Sequence, residues 1–258
     1  MTSFLYVEAR WQSSMIGRKQ GRAPESWGDD SLTAYIEEFR GNQFATFVGK
    51  PAEVADLITL DSILKKLLDG ALDPKPLIPM TFLLRAHSAF RSAVGAVMAG
   101  QLYEAQALLR LCLEHAAYGH YIGGDVDLWE RWMRRNENEK NKDAIRKEFS
   151  AGKVKRKLQA VDAKTGAAYE TLYERLIDFG AHPNEKGFSM SSALRRQPNG
   201  DVHFDALYLH DDGLPLHLAL KTTAQVGISV LRIGRIIYPQ RFKDLELDTD
   251  VDTIMRRY

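Results

Sequence analysis

Two strongly apolar stretches, MTFLLRAHSAFRSAVGAVMAG (80–100) and QLYEAQALLRLCLEHAAYGHYI (101–122), stand end to end, with only Gly100 and Gln101 as a joint. Each is long enough for a helix and neither contains proline. So short a joint forces them into an antiparallel helical hairpin. Both are apolar on most sides, so both belong inside a bundle.

The rest of the chain can be read around this hairpin. Residues 1–30 carry scattered Gly and Pro and read as extended or loop. In WGDDSLTAYIEEFRGN (27–42), Asp and Ser can cap a helix and Gly41 can stop it. PAEVADLITLDSILKKLLDG (51–70) has Pro51 in its first turn, a broad stripe from Val54 to Leu68, and Gly70 as its stop. DPKPLIP is a turn. The charged segment 127–161 reads as one or two exposed helices, anchored by Trp129, Trp132 and Met133. TGAAYETLYERLIDFG (165–180) is a core helix ended by Gly180. The segment 188–213 is strand-like, with a hairpin turn at Asn199-Gly200. LPLHLALKTTAQVGISVLRIGRIIY (214–238) is a last core helix stopped by Pro239, followed by a polar, loose tail. The expected fold class is mainly all-α, a multi-helix bundle of five to seven helices with a small β-hairpin, forming one helical domain over 1–258.

Composition narrows the setting. A chain of 258 residues with 45% hydrophobic and 27% charged residues can bury a large core without disulfide or metal. The net charge of +1 gives no global field, so any nucleic-acid contact must use a local patch. GKVKRKL (152–158) is the best such patch; it reads as a solvated helix face or a phosphate holder. Cys112 is alone and sits in an apolar run, which fits a small buried hydrophobe in a reducing cytoplasm. No signal peptide and no apolar run of membrane length is evident, so no membrane association is expected.

P-loop, GxGxxG, HExxH and GxSxG motifs are all missing, and the reading calls for no cofactor and no metal. Three places could carry chemistry. In LLRLCLEHAAYGHYI (108–122), Arg110 and Glu114 share a helix face with Tyr103 and Tyr121, while His115 points elsewhere. The partner helix offers Arg85, His87 and Arg91. These groups either fix helix register or line an internal groove. In YERLIDFGAHPN (173–184), His182 follows a helix end, with Tyr173, Arg175 and Asp178 just before it. There it is either a cap on the last carbonyls or a proton donor and phosphate contact. His203, His210 and His217 recur every seven residues, which suits a solvated loop better than a metal site.

The stretches 99–122 and 173–184 together resemble a bacterial group of helical domains of unknown function, distantly like the HEPN superfamily of nucleotide-binding and RNase domains. Gly100, Tyr103, Glu104, Ala105, Leu109, Arg110, Glu114, His182 and Pro183 carry the likeness, which spans roughly 80–185 as a core. Residues 1–79 would be an N-terminal extension, and 186–258 a hairpin plus a C-terminal core helix. HEPN nucleases are marked by Arg, four to six residues, then His. Arg110–His115, Arg175–His182 and Arg196–His203 all fit that spacing, and the second sits at a helix end. Leu111 and Leu176 stand where the nuclease pattern tends to be polar, so a non-cleaving member stays open.

The resemblance implies a four-helix core and a homodimer with a groove at its interface. In active members RNA is cut without metal, the 2′-hydroxyl attacking the adjacent phosphate. Mapped here, His182 moves the proton, Arg175 or Arg110 clamps the phosphate, and Glu114 orients His182 or neutralises Arg110. Tyr173, His115, Arg91 and His87 would line the substrate. Two functions follow: an endoribonuclease or degenerate RNA- or nucleotide-binding protein of a bacterial defence or toxin–antitoxin system, or a non-catalytic scaffold that binds a protein partner. The first expects Arg110, Glu114, Arg175 and His182 to converge in one cleft. The second expects Arg110 and Glu114 to satisfy each other.

Overall fold

The computed structural model describes residues 8–9 and 23–258, so most of the N-terminal stretch read as extended or loop lies outside the described residues. The described residues form an all-α multi-helix bundle with a small two-stranded hairpin. They hold twelve α-helices, and most of the short ones add only one to three side chains to the core. Helix α1 (Ser31–Gly49) starts at Asp30, whose carboxylate accepts from the amides of Leu32 and Thr33. It runs straight through Gly41, contrary to the expected stop. The reason lies beyond Gly41. Gln43, Asn42 and Thr46 donate to the carbonyls of Gly95, Ala99 and Met98, which closes the end of another helix.

Helix α2 (Pro51–Leu68) ends before Gly70, whose φ is +64°. A two-residue strand β2 (Ala71–Leu72) then pairs with β1 (Glu8–Ala9). Helices α3 (Leu77–Met98) and α4 (Leu102–Ile122) form the expected hairpin. Its joint depends on Gly100. There φ is +82°, and a Cβ would stand 2.3 Å from the carbonyl oxygen of His210. The amide of His210 also donates to the carbonyl of Gly100, which pins a distant loop to the hairpin tip.

The charged segment makes three short helices, more than expected: α5 (Val126–Met133), α6 (Glu139–Glu148) and α7 (Ala151–Val161). Asn138 restarts the chain by capping α6, and each helix buries only one or two apolar side chains. Helix α8 (Ala163–Leu176) follows and unwinds into a π-type turn, Ile177–Ala181. A short α9 (Glu185–Ser191), hidden in a polar stretch, leads into the hairpin of β3 (Ser192–Arg196) and β4 (Val202–Ala206), with Leu194 opposite Phe204. Helix α10 (Leu214–Ile237) packs against α2, α3, α4 and α8.

The polar tail is folded, not loose. It forms α11 (Pro239–Asp244) and α12 (Leu247–Met255), with Phe242, Leu247 and Val251 fully buried. Arg241 donates to the carbonyls of Leu67 and Asp69, capping α2 from outside. One continuous core joins Leu60, Leu64, Leu83, Phe90, Leu109, Leu113, Leu176 and Leu231, all at 0% exposure. Each such side chain contributes about 1.5–3 kcal/mol by leaving water. Cys112 lies among them, and burial pushes its thiol far up, so it is inert packing. Among the described residues no helix is long and apolar enough to cross a membrane.

Candidate functional site

The charges on α4 are met from α8. Arg110 Nε lies 2.9 Å from Glu114 Oε1, and Arg110 Nη2 lies 3.0 Å from the hydroxyl of Tyr173. That hydroxyl in turn donates to Glu114 Oε1 at 3.2 Å. The guanidinium also stands 5.1 Å from the centre of the Tyr173 ring. This is a closed triangle, with each member satisfying the other two. Burial disfavours the Arg110 cation, but the Glu114 carboxylate outweighs it and holds Arg110 protonated. Burial first, then Glu114, raises the Tyr173 phenol. Glu114 therefore neutralises Arg110, and the charges of α4 answer Tyr173 and not His182. Because both ion-pair side chains are about a quarter exposed, Glu114→Gln is expected to cost only about 1 kcal/mol in urea unfolding.

His87 and Arg91 find a partner on α2. Asp61 Oδ1 is 2.7 Å from His87 Nε2 and 2.6 Å from Arg91 Nε, and Asp61 Oδ2 is 2.8 Å from Arg91 Nη2. His87 is almost wholly buried. Burial alone would raise the Asp61 carboxyl, yet the hydrogen bonds and charge of Arg91 and His87 hold it far below the usual range. Sequence spacing showed the His87–Arg91 pair but not Asp61, which sits in the middle of an apolar-striped helix.

Arg175 faces the other way. Two residues at 3.6 per turn turn a side chain by about 200°, so if Tyr173 meets α4, Arg175 must meet another element. It meets α10, where Arg175 Nη1 donates to Gln225 Oε1 at 2.8 Å. The guanidinium is partly buried, and no carboxylate pairs with it among the described residues. It lines two adjoining cavities, as does Gln225. The larger, of about 470 Å³, lies between α4, α10 and the turn after α8. Its walls include Phe179, Met190 and Leu218, with Lys221 at the rim. Gly180 shapes this wall. Its φ is +146°, and a Cβ would stand 2.5 Å from the carbonyl oxygen of Tyr103, so the turn lies flat on the first turn of α4. Tyr103 itself packs under Gly180 and Gly187.

His182 lies just past this turn, exposed, and its ring makes no hydrogen bond among the described residues. It does not cap α8. Asn184 does that, donating to the carbonyls of Ile177 and His182 while its own oxygen caps α9. His115 sits apart on α4, its ring centre 6.1 Å from that of Phe82, and burial and Arg85 lower its basicity. The expected site residues therefore divide. Arg110, Glu114 and Tyr173 come together, His87 and Arg91 join Asp61, and Arg175 lies in the α8–α10 groove.

The remaining candidates are dispersed. His210 lies against Gly100, His217 is 3.2 Å from Glu53, and His203 is exposed on β4. Among the described residues no group of three or more His, Cys, Asp or Glu could hold a metal ion. The basic run on α7 is largely engaged. Lys153 pairs with Glu148, Lys155 with Glu170, and Lys157 donates to the carbonyl of Tyr121.

Sequence reasoning missed the α10 side of the groove. Counting 100° per residue from Lys221, Gln225 stands at about 40°, Ser229 at about 80° and Arg232 at about 20°. Such a polar stripe on a buried helix was a readable signal. No family model, curated protein or solved structure matches the chain.

Proposed function

We propose that the protein binds RNA or a nucleotide in the larger groove, between α4, α10 and the turn after α8, as an HEPN-like protein of a bacterial defence or toxin system. Arg175 is the observation that carries this reading. A partly buried guanidinium whose only hydrogen-bond partner among the described residues is an amide is left electrostatically unanswered by them, and a phosphate oxygen would answer it. Lys221 adds a second cation at the rim, and Phe179 and Leu218 offer apolar surface to a base. Cleavage would need a proton carrier, and this reading assigns that role to His182, just past the turn that supplies Phe179.

The test uses a 5′-labelled single-stranded RNA in EDTA, with wild-type protein and His182→Ala. Retention of the RNA on a filter, weakening steeply with salt, is the expected result. Cutting by wild type alone would add catalysis at His182. Folded protein that neither retains nor cuts the RNA, and that fails to bind ADP, would overturn the reading.

A further inference from the structure

The smaller cavity, of about 340 Å³, lies on the far side of Arg175, between α8, α10 and α12. Ala167 and Ala168 leave it open on the α8 side, while Leu172, Ile228 and Met255 make its walls apolar. Six polar side chains line it, Thr171, Arg175, Gln225, Ser229, Arg232 and Tyr258, and Ser229, Arg232 and Arg175 are the three that matter here. Ser229 is 2% exposed and its hydroxyl has no partner among the described residues. A helical serine commonly satisfies itself on the carbonyl four residues back, and this one does not. The Arg232 side chain is only 19% exposed, and its nearest carboxylate, Asp162, stands 3.9 Å away, beyond hydrogen-bond range. Asp162 is occupied elsewhere, accepting from the amides of Lys164 and Thr165 and from the Thr165 hydroxyl at the start of α8. Arg175 supplies the second guanidinium.

Two partly buried cations and an orphaned hydroxyl thus share one small cavity with apolar walls. A partly buried cation held only by a loose ion pair, as Arg232 is by Asp162, and an unmet buried hydroxyl both cost free energy, and one small anion between them would offset both. We propose that this cavity is a second binding site, for a small apolar monocarboxylate. Its carboxylate lies between Arg232 and Arg175 and accepts from Ser229, and its body packs on Leu172, Ile228 and Met255. The volume is near the lower end for ligand pockets, which limits the body to about one ring or a short chain. The site shares Arg175 and Gln225 with the larger groove, but Arg232 and Ser229 line the smaller cavity and not the larger, so their variants read this site separately from the RNA reading.

The experiment is thermal unfolding and calorimetric titration of the whole protein with benzoate, phenylacetate and hexanoate. Phenylacetamide serves as the neutral counterpart and acetate as the anion without a body. At least one of the three acids is expected to raise Tm in a concentration-dependent way. Phenylacetamide and acetate should bind at least tenfold more weakly than that acid. Arg232→Met should weaken the acid at least tenfold, and Ser229→Ala several-fold. No shift with any of the three acids, equal binding of acid and amide, or full binding by both variants would each overturn the proposal. RNA titrated against the same preparation separates the two sites: acid binding without RNA binding overturns only the RNA reading.

Discussion

Gly100→Ala is expected to lower the unfolding free energy by about 3 kcal/mol, which for a chain of this size is a fall in Tm of roughly 6–12 °C. Two costs add. The backbone there has φ +82°, in the left-handed region that an L side chain enters at about 1–2 kcal/mol. The new methyl would also stand 2.3 Å from the His210 carbonyl oxygen and 2.8 Å from its nitrogen, so the pinned loop must move. The loss should appear in calorimetry together with weaker amide protection at His210, whose N–H bonds to Gly100. Gly41→Ala is the matched control. Gly41 is helical and has nothing within 4 Å of its missing Cβ, so alanine there should stabilise by about 0.5–1 kcal/mol. Equal effects at the two positions would contradict this account of the hairpin tip.

Asp61→Asn should cost about 2 kcal/mol near neutral pH. The substitution removes the charge that Arg91 and the buried His87 both face, and only part of the full buried-pair penalty applies because Asp61 is about a third exposed. The pH dependence has a definite sign. The folded-state carboxyl is depressed below its unfolded value near 4, so its stabilising contribution is complete above about pH 5. It is lost progressively as pH falls through and below about 4, when the carboxylate must take up a proton. Urea unfolding of wild type and Asp61→Asn should therefore differ most at neutral pH and converge in acid. A gap that widened as pH fell would refute the assignment.

The hairpin of α3 and α4 and the Arg110–Glu114 pair were legible because they are local. The first follows from two apolar runs meeting at Gly100, the second from a spacing of four residues on one face. The partners that decide what each charge does were not legible, because they come from far along the chain. Asp61 reaches His87 across 26 residues, and Tyr173 reaches Arg110 across 63. The tail misled for another reason. Its buried residues, Phe242, Leu247, Val251 and Ile254, are spread thinly among charges, and only contact with α2 and α10 makes short helices there worthwhile. Gly41 misled because a helix stop is a local preference. Three side chains beyond it gain acceptors at the end of α3, and that gain outweighs the preference.

The central claim is that Arg175, in an open groove, is the residue that meets an anion, whereas Arg110 belongs to a closed cluster. Fluorescence anisotropy of a labelled single-stranded RNA with Arg175→Met and Arg110→Met, each first shown folded by circular dichroism, tests it most directly. The account predicts at least a tenfold loss of affinity for Arg175→Met, equivalent to about 1.4 kcal/mol, and less than a twofold change for Arg110→Met. Loss on Arg110→Met with Arg175→Met unchanged would contradict it and return the site to the face of α4.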